Sequence, residues 1–423
     1  MPEQMIISGN HAAAYACKAA RVGVVAAYPI TPQSPVVEKI AYFVEHGDIP
    51  DTQFIRVESE QSAIGAIIAA SATGSRTFTA SSANGLAFMN EQLAWAAGNR
   101  LPIVMCIATR ALAAPWNVQT DHQDSMSVRD TGWLQLYCED NQEIYDTVLQ
   151  AYRIAENPSV FLPTFVCYDG YILSHTVMPV QVEDQDVVDE FMPPFNNHMH
   201  LADTSTPIGM SPVTTPNPIL RPEATAPGYF EFRWAMQKAH ERVLQTIQEV
   251  HAAFAEKFGR SYGNGIYKTY RAEDAGVLLL AMGSVACEAR IAVDQLRAEG
   301  INAGVVSLKV FRPFPGEILR EVVKDAKTIA VFDRGVAYGY EGVLSCELKA
   351  ALYGAQTHPY IKGFIVGIGG RDIYPEHFIQ GVKQAIAACD AGEPVTSGRT
   401  EWIGLHVDQL TNWEGRWNHG PND

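Results

Sequence analysis

The stretch Ala27-Tyr28-Pro29-Ile30-Thr31-Pro32-Gln33-Ser34-Pro35 leads from an apolar strand predicted at Val22–Tyr28 into a helical pattern. Short apolar runs of the same kind alternate with helical stretches through residues 5–170. The further predicted strands are Phe54–Val57, Thr77–Ala80, Ile103–Ala108, Trp133–Cys138 and Val160–Cys167. This alternation is typical of a doubly wound parallel sheet, so the sequence predicts an α/β fold.

A second α/β unit is predicted towards the C-terminus. Its strands are Gly276–Ala281, Gly304–Leu308, Thr328–Phe332 and Gly363–Val366, with helices near 286–298, 315–324, 341–353 and 375–388. The segment Met178–Arg233 contains nine prolines, which cannot continue a helix or a central strand. We interpret it as an ordered docking arm, with a flexible linker as the alternative, followed by a helix at Phe232–Phe258. The predicted domains are therefore 1–177, an arm and helix at 178–260, and 261–423 with an irregular tail.

Composition excludes several classes of protein. The net charge is −16 and no block of Lys and Arg occurs, so nucleic acid is not expected as a partner. No run approaches the roughly 18 apolar residues of a membrane helix, and the start Met1-Pro2-Glu3-Gln4 lacks the features of a secretion signal. We therefore expect a cytoplasmic protein without a membrane partner.

The seven cysteines are widely spaced and form no CxxC pair. Iron–sulfur clusters and zinc ribbons use such short spacings, so neither is expected on this chain. We interpret the cysteines as small buried hydrophobic residues.

Three polar residues follow predicted strands at the edge of the sheet where ligands gather, namely Thr31, Glu60 and Arg110. Each has a structural interpretation beside a functional one. Thr31 with Pro32 could cap a helix, or could lie where a helix N-terminus receives an anion. Arg110 could form a surface salt bridge, or could bind a carboxylate through two parallel hydrogen bonds. Glu60 could simply be an acidic residue in the first turn of a helix.

Four motifs carry a resemblance to a known family. They are Tyr28-Pro29-Ile30-Thr31-Pro32, Ser59-Glu60-Gln61-Ser62-Ala63-Ile64-Gly65-Ala66, Ala108-Thr109-Arg110-Ala111 and Asp121-His122-Gln123-Asp124. The chain resembles the α chain of 2-oxoacid:ferredoxin oxidoreductases, thiamine diphosphate enzymes that oxidise pyruvate or a relative to an acyl-CoA. The resemblance covers residues 5–180 and, more weakly, 275–390. It implies a pyrimidine-type thiamine diphosphate domain followed by a transketolase C-terminal-like domain, which includes the turn Gly367-Ile368-Gly369-Gly370-Arg371-Asp372.

The resemblance assigns roles to the three polar residues. It implies that Thr31 and Arg110 contact the 2-oxoacid. It implies that Glu60 is the buried acid that hydrogen-bonds N1′ of the aminopyrimidine, so that the cofactor can lose its C2 proton. Glu58 is the weaker candidate, because it falls two residues before the matched position.

Further cofactor contacts are expected from Tyr28, Pro29 and Ser82. Helix capping is the alternative explanation for Ser82 and for its neighbour Asn84. The run Asp121–Asp124 contains one histidine and no nearby second histidine or cysteine, so a zinc site is not expected there. By resemblance, this run shapes the pocket.

The chain contains no Gly-Asp-Gly, the motif with which thiamine enzymes hold the diphosphate through Mg²⁺. The diphosphate and Mg²⁺ are therefore expected on another polypeptide. The resemblance implies that this polypeptide is a β chain that also carries a [4Fe-4S] cluster, and that a ferredoxin-like chain carries more clusters. The expected partners are thus β, γ and δ-type subunits, ferredoxin, pyruvate and CoA.

The predicted reaction converts pyruvate, CoA and oxidised ferredoxin to acetyl-CoA, CO₂ and reduced ferredoxin, reversibly as in a pyruvate synthase. Position 31 holds a threonine and not a second arginine, which favours a substrate whose substituent is the size of a methyl group. Trp116 and Asn117 could narrow the pocket further. Related enzymes that act on 2-oxoglutarate, 2-oxoisovalerate or oxalate are the alternative. Two other classes are a stand-alone dinucleotide enzyme, suggested by Gly367–Gly370, and a non-catalytic scaffold subunit. The turn at Gly367–Gly370 lacks a full G-x-G-x-x-G and follows the last strand of its unit, which argues against dinucleotide binding.

Overall fold

A computed structural model describes residues 2–195, 229–356, 358–395, 400–406 and 409. Within these ranges the strands form two large sheets covered by helices and one separate two-stranded sheet. The predicted α/β class is confirmed.

Seven strands of the described chain form the first sheet. In spatial order they are β12 (Val310–Arg312), β6 (Leu134–Tyr137), β7 (Thr164–Asp169), β5 (Val104–Thr109), β4 (Thr77–Ser81), β2 (Val24–Ala27) and β3 (Gln53–Arg56). All neighbouring pairs are parallel except β12 with β6. The carboxyl ends of the six parallel strands therefore meet at one edge.

Helices cover both faces of this sheet. One face carries α1 (Gly9–Ala19), α2 (Ser34–Glu45) and α7 (Asn141–Ala155), and the other carries α3 (Glu60–Ala72), α4 (Ala83–Phe88) and α5 (Asn90–Gly98). The short helix α6 (Gln123–Ser127) lies against α4 and β5. Strands β1 (Glu3–Ser8) and β8 (Val177–Val182) form a separate antiparallel pair, followed by α8 (Gln185–Phe191).

The second sheet contains six strands among the described residues. In spatial order they are β15 (Glu401–Trp402), β14 (Tyr360–Ile365), β13 (Thr328–Asp333), β10 (Val277–Met282), β11 (Ala303–Leu308) and β9 (Tyr267–Tyr270). Its helices are α10 (Val285–Ala298), α11 (Gly316–Val323), α12 (Val343–Leu352) and α13 (Pro375–Asp390). The strands are parallel apart from β9, which pairs antiparallel with β11.

The two sheets share a hydrophobic core. One cluster of buried side chains contains Ile107 and Phe165 from the first sheet together with Leu280 and Val306 from the second. Strand β12 follows directly from the second sheet in sequence but completes the first sheet beside β6. Burial of this shared surface fixes the carboxyl edge of the first sheet against loops of the second.

Every strand and helix predicted above is present, with bounds shifted by a few residues. The strands that the sequence did not predict are β1, β8, β9, β12 and β15. Part of the proline-containing segment is regular, because β8 and α8 lie within it. The long helix α9 (Tyr229–Phe258) follows the segment and packs on α7. Residues 196–228, which hold most of the predicted arm, lie outside the described residues, and the three-domain division remains a prediction.

No helix in the described ranges is both long and apolar enough to cross a membrane.

Candidate functional site at the carboxyl edge of the first sheet

Polar residues follow five parallel strands at the carboxyl edge of the first sheet. Thr31 comes after β2, Glu60 after β3, Ser82 after β4 and Arg110 after β5, and Asp169 ends β7. Open α/β sheets bind ligands at this edge. The structure thus brings the residues predicted from sequence to the same edge.

Arg110 is buried, with 2% of its surface exposed. Its Nη1 donates to the carbonyl oxygen of Thr31 at 2.7 Å, and its Nε donates to the carbonyl oxygen of Asn117 at 3.3 Å. The guanidinium also lies 4.6 Å from the centre of the Trp116 ring. Two different loops therefore fix the plane of this side chain.

No carboxylate of a described residue forms an ion pair with Arg110, so the surface salt bridge considered above is wrong. Burial lowers the pKa of the guanidinium, which nevertheless stays protonated because arginine is such a strong base. A buried cation without an anionic partner is costly. A substrate carboxylate would supply the missing partner.

Thr31 does not cap a helix. Helix α2 begins at Ser34 with Gln33 at its N-cap, and Gln33 donates from Nε2 to the carbonyl oxygen of Tyr28 at 3.0 Å. Thr31 is exposed, and its carbonyl oxygen holds Arg110. Tyr28 and Pro29 are also exposed at this edge. The structure leaves the Thr31 side chain accessible to a ligand beside Arg110.

Glu60 is the first residue of α3, and only 8% of its surface is exposed. The helix is capped by Ser59, whose side chain accepts from the backbone N–H of Ser62 at 3.2 Å, so capping does not need the Glu60 carboxylate. No described residue donates a hydrogen bond to that carboxylate. A largely buried glutamate whose carboxylate accepts no hydrogen bond from a described residue is well placed at an open edge to meet a ligand group.

The surroundings of Glu60 fit the end of a bound cofactor. A Cβ placed on Gly85 would lie 2.6 Å from Oε1 of Glu60 and 2.7 Å from Oγ of Ser81. The Ser81 Oγ is itself buried without a hydrogen-bond partner among the described residues. A glycine that admits close approach, an unpartnered hydroxyl and an unpartnered carboxylate together suit the polar edge of an aminopyrimidine.

Glu58 is a poorer candidate for the same role. Its exposed carboxylate accepts from Oγ of Ser62 at 2.6 Å, and this hydrogen bond lowers its pKa. Glu58 therefore faces solvent at the start of the helix, which agrees with the choice of Glu60.

Ser82 uses its hydroxyl to connect two strands. Its Oγ donates to the carbonyl oxygen of Ala108 at 2.7 Å, and it makes no capping hydrogen bond to α4. Asn84 accepts from the backbone N–H of Ala113 at 2.9 Å. Capping thus does not explain either side chain, and the cofactor contact of Ser82 remains a prediction.

Asp124 belongs to the run that the sequence analysis expected to shape the pocket, without a detailed role. Its Oδ2 accepts from the backbone N–H groups of Ala83 at 2.8 Å and Arg110 at 3.0 Å, and its Oδ1 accepts from Ser125 at 2.6 Å. Complete burial raises the pKa of this carboxyl to about 7. Asp124 thereby joins the start of α4, the helix that contains Gly85, to the start of the loop after Arg110.

The remainder of the Asp121–Asp124 run contacts the second sheet. His122 lies 3.0 Å from Oδ1 of Asp169, and Oδ2 of Asp169 accepts from the backbone N–H of Ser284 at 3.0 Å. Arg334 lies 3.3 Å from the same Oδ2 atom and holds the pKa of Asp169 well below its usual range. This buried network locks the two sheets together behind the site.

Backbone N–H groups of the turn Gly367–Gly370, which follows β14, already donate to other residues of this chain. The N–H of Gly369 donates to Asp121 at 3.3 Å, and the N–H of Gly370 donates to the carbonyl oxygen of Thr120 at 2.7 Å. These donors are therefore unavailable to a dinucleotide phosphate. This argues against the alternative that the turn binds a dinucleotide.

Comparison with known families identifies the family of this chain. The family model described as pyruvate flavodoxin/ferredoxin oxidoreductase, thiamine diphosphate-binding, matches residues 15–252, more than half of the chain. The chain belongs to the 2-oxoacid:ferredoxin oxidoreductase family. Within this family it is an α subunit. A second model, pyruvate:ferredoxin oxidoreductase core domain II, matches residues 275–378.

Individual relatives cover nearly the whole chain. The ketoisovalerate oxidoreductase subunit VorA of Pyrococcus horikoshii is 49% identical over 408 residues, which cover 96% of this chain and 98% of that protein. The pyruvate synthase subunit PorA of Methanocaldococcus jannaschii is 44% identical over 406 residues, which cover 96% of this chain and 99% of that protein. The predicted family is confirmed, and the relatives differ in the 2-oxoacid that their names give.

A solved structure shares the fold. The 2-oxoglutarate:ferredoxin oxidoreductase from Magnetococcus marinus, with 2-oxoglutarate, coenzyme A and succinyl-CoA bound, aligns with a TM-score of 0.67 at 18% identity. The alignment covers 90% of this chain and 65% of that chain. It supports the thiamine diphosphate-binding fold for this family member.

Proposed function

We propose that this chain is the α subunit of a complex that oxidises a 2-oxoacid with an apolar side chain, pyruvate in the first place. The products are acetyl-CoA, CO₂ and reduced ferredoxin, and the reaction is reversible as in a pyruvate synthase. The observation that supports this proposal most directly is the buried Arg110 side chain, which has no carboxylate partner among the described residues. It lies at the same sheet edge as Glu60, a largely buried residue whose carboxylate accepts no hydrogen bond from a described residue.

Arg110 is proposed to bind the substrate carboxylate. Two of its N–H groups already hold the carbonyl oxygens of Thr31 and Asn117, so the guanidinium is oriented before substrate arrives. Such an arrangement lowers the entropy lost on binding and fixes the direction of the 2-oxo group. Another buried arginine behind this edge, Arg334, is already paired with Asp169. Of these two buried arginines among the described residues, only Arg110 lacks a carboxylate partner, and one available cation fits a monocarboxylate better than a dicarboxylate such as 2-oxoglutarate.

Glu60 is proposed to hold the aminopyrimidine and to move a proton at its N1′ nitrogen. Thiamine diphosphate, when bound, supplies the carbon nucleophile that attacks the 2-oxo carbon of the substrate. A carboxyl group hydrogen-bonded to a ring nitrogen can exchange a proton with it. Ser81 and Gly85 would support the ring beside it, and Tyr28, Pro29 and Ser82 are proposed to contact the cofactor.

The rest of the cofactor site is proposed to lie on a second polypeptide. The sequence lacks Gly-Asp-Gly, and the described residues contain no group of three or more potential metal ligands. We therefore propose that a β subunit holds the diphosphate and Mg²⁺. The [4Fe-4S] clusters are proposed to belong to β and δ-type subunits of a cytoplasmic complex that includes a γ-type subunit and transfers electrons to ferredoxin.

A second candidate substrate is 2-oxoisovalerate, because the relative with 49% identity is named a ketoisovalerate oxidoreductase subunit. We expect the complex purified from its native source to reduce ferredoxin with pyruvate and CoA, with a higher kcat/KM for pyruvate than for 2-oxoisovalerate or 2-oxoglutarate. Steady-state assays with the three acids measure this ranking. A higher kcat/KM for 2-oxoisovalerate would assign the chain to the branched-chain enzymes, and a preference for 2-oxoglutarate would contradict the single-cation argument.

Arg110→Lys is expected to raise the KM for pyruvate by about 10- to 100-fold while the complex assembles normally. Lysine keeps the positive charge but loses the planar pair of donors and the Nε contact to Asn117. The control is Arg271→Lys, because Arg271 forms an exposed ion pair with Asp294 in the second sheet and should leave the KM unchanged. An unaltered KM in Arg110→Lys would remove Arg110 from the substrate site.

A further inference from the structure

The loop that follows Arg110 is anchored by the second sheet. The Asn117 Nδ2 donates to the carbonyl oxygen of Gly369 at 2.8 Å, and the N–H of Gly370 donates to the carbonyl oxygen of Thr120 at 2.7 Å. We call residues Gly367–Gly370 the glycine turn and residues 111–121 the arginine loop. The two segments are about 250 residues apart in sequence and meet beside the site.

The arginine loop is closed at its base and holds Arg110 there. The N–H of Ala111 donates to the carbonyl oxygen of Gln119 at 2.9 Å, and Asn117 accepts at Oδ1 from the N–H of Gln119 at 2.8 Å. The carbonyl oxygen of Asn117 accepts from Nε of Arg110. Asn117 therefore contacts Arg110 through its backbone and the glycine turn through its side chain.

Apolar packing does little to hold the tip of this loop. The largest apolar side chain there, Trp116, is 72% exposed. Loops without a buried apolar face keep one conformation only through their hydrogen bonds. The bond to the glycine turn, together with those to Gln119 and Arg110, therefore fixes the position of Asn117.

The glycines of the turn permit this close approach. Gly369 has φ of 62°, and a Cβ on it would lie 2.6 Å from Nδ2 of Asn117. Gly370 has φ of 76°, and a Cβ on it would lie 2.4 Å from Cβ of Gln119. A Cβ on Gly370 would push the arginine loop away from the second sheet, and a Cβ on Gly369 would displace the Asn117 amide from its hydrogen bond.

We propose that Gly369 and Asn117 are positioning residues for the 2-oxoacid. The glycine turn fixes Asn117, and the Asn117 carbonyl oxygen fixes the guanidinium plane of Arg110 that receives the substrate carboxylate. This inference rests on the proposed function of Arg110. It assigns the second sheet a part in substrate affinity through the backbone of the glycine turn.

The test uses Gly369→Ala in the assembled complex. A shift of Arg110 by about 1 Å weakens substrate positioning strongly, so we expect the KM for the 2-oxoacid to rise about tenfold. The kcat should stay within about twofold and the KM for CoA should not change. The matched control is Gly392→Ala. Gly392 has φ of 67° and nothing within 4 Å of the point where a Cβ would stand, so the alanine carries the same backbone cost without a clash.

The double variant with Gly369→Ala and Arg110→Lys shows whether Gly369 acts through Arg110. If it does, the effect of Gly369→Ala should shrink to about twofold in the Arg110→Lys background, since coupled residues are not additive. Asn117→Ala removes the same hydrogen bond from the other side and should match Gly369→Ala, which covers the case in which Gly369→Ala fails to fold.

The outcomes distinguish the proposed substrate role of Arg110 from the proposed positioning role of Gly369 and Asn117. An unchanged KM in Arg110→Lys would defeat the proposed function of Arg110. If Arg110→Lys raises the KM, then a wild-type KM in Asn117→Ala, or full additivity in the double variant, would overturn the positioning role alone. A rise of similar size in Gly392→Ala would also overturn it, because the effect would then come from general backbone strain.

Discussion

Glu60→Gln in the assembled complex is expected to lower kcat by at least about 100-fold without preventing assembly. The amide has nearly the same shape as the carboxyl group but cannot exchange a proton with N1′ of the aminopyrimidine, and loss of a general acid–base group typically has an effect of this size. The helix should be unaffected, because Ser59 caps it and the Glu60 side chain bonds to no described residue.

The direct measurement is exchange of the C2 proton of thiamine diphosphate, followed by NMR in the complex without substrate. Exchange should slow by a factor similar to the fall in kcat. Glu58→Gln is the control, because the Glu58 carboxylate is exposed and bonds to Ser62 nearby. Exchange at the wild-type rate in Glu60→Gln would show that another group activates the cofactor.

The central strands could be predicted from the sequence because they are buried on both faces. The strand Val104–Thr109, for example, is buried at every position and forms a nearly continuous apolar run. The missed strands lack this pattern. β12 has three residues and β15 has two, and the edge strand β9 is partly exposed along its length. Their pairing depends on neighbours that are distant in sequence, so local composition could not reveal it.

The same difference between local sequence patterns and contacts distant in sequence explains which site residues were predicted. Arg110, Thr31 and Glu60 follow strands directly, and parallel topology alone places them together. The contact of Thr31 with Arg110 uses a backbone oxygen, which no residue pattern shows. The contacts of Asp124 are equally invisible in the sequence, because its partners are the backbone N–H groups of Ala83 and Arg110. In the sequence it belonged to one of the motifs that carry the family resemblance, but nothing there indicated these backbone partners.

The shared core explains why the two units act together. Side chains from both sheets belong to one buried cluster, and the Asp169 network with Arg334 and Ser284 lies directly behind the site. A loop that follows a strand of the first sheet can therefore take its conformation from the second. The strand and helix patterns of the sequence indicate two separate units, and nothing in them links the glycine turn to the arginine loop.

Thiamine diphosphate binding by the chain alone is expected to be at least about 100-fold weaker than binding by the complex with the β subunit. The residues proposed for this chain, Glu60, Ser81 and Gly85, contact one end of an extended molecule, whereas the diphosphate carries most of its charge. Two half-sites that hold one ligand act as a linked pair, so their joint affinity exceeds that of either half by a large factor. The chain alone should also show no 2-oxoacid oxidation.

Calorimetric titration with thiamine diphosphate and Mg²⁺, first of the chain alone and then of the chain with the β subunit, measures both affinities. Glu60→Gln, measured in the presence of the β subunit, separates the contribution of this chain from that of its partner. This variant should weaken thiamine diphosphate binding while the dependence on Mg²⁺ persists. The metal dependence should persist because it arises on the β subunit, where we place the Gly-Asp-Gly. Tight, Mg²⁺-dependent binding by the chain alone would mean that this chain holds the diphosphate itself, by residues other than the expected motif, and that the proposed division of the site between two polypeptides is wrong.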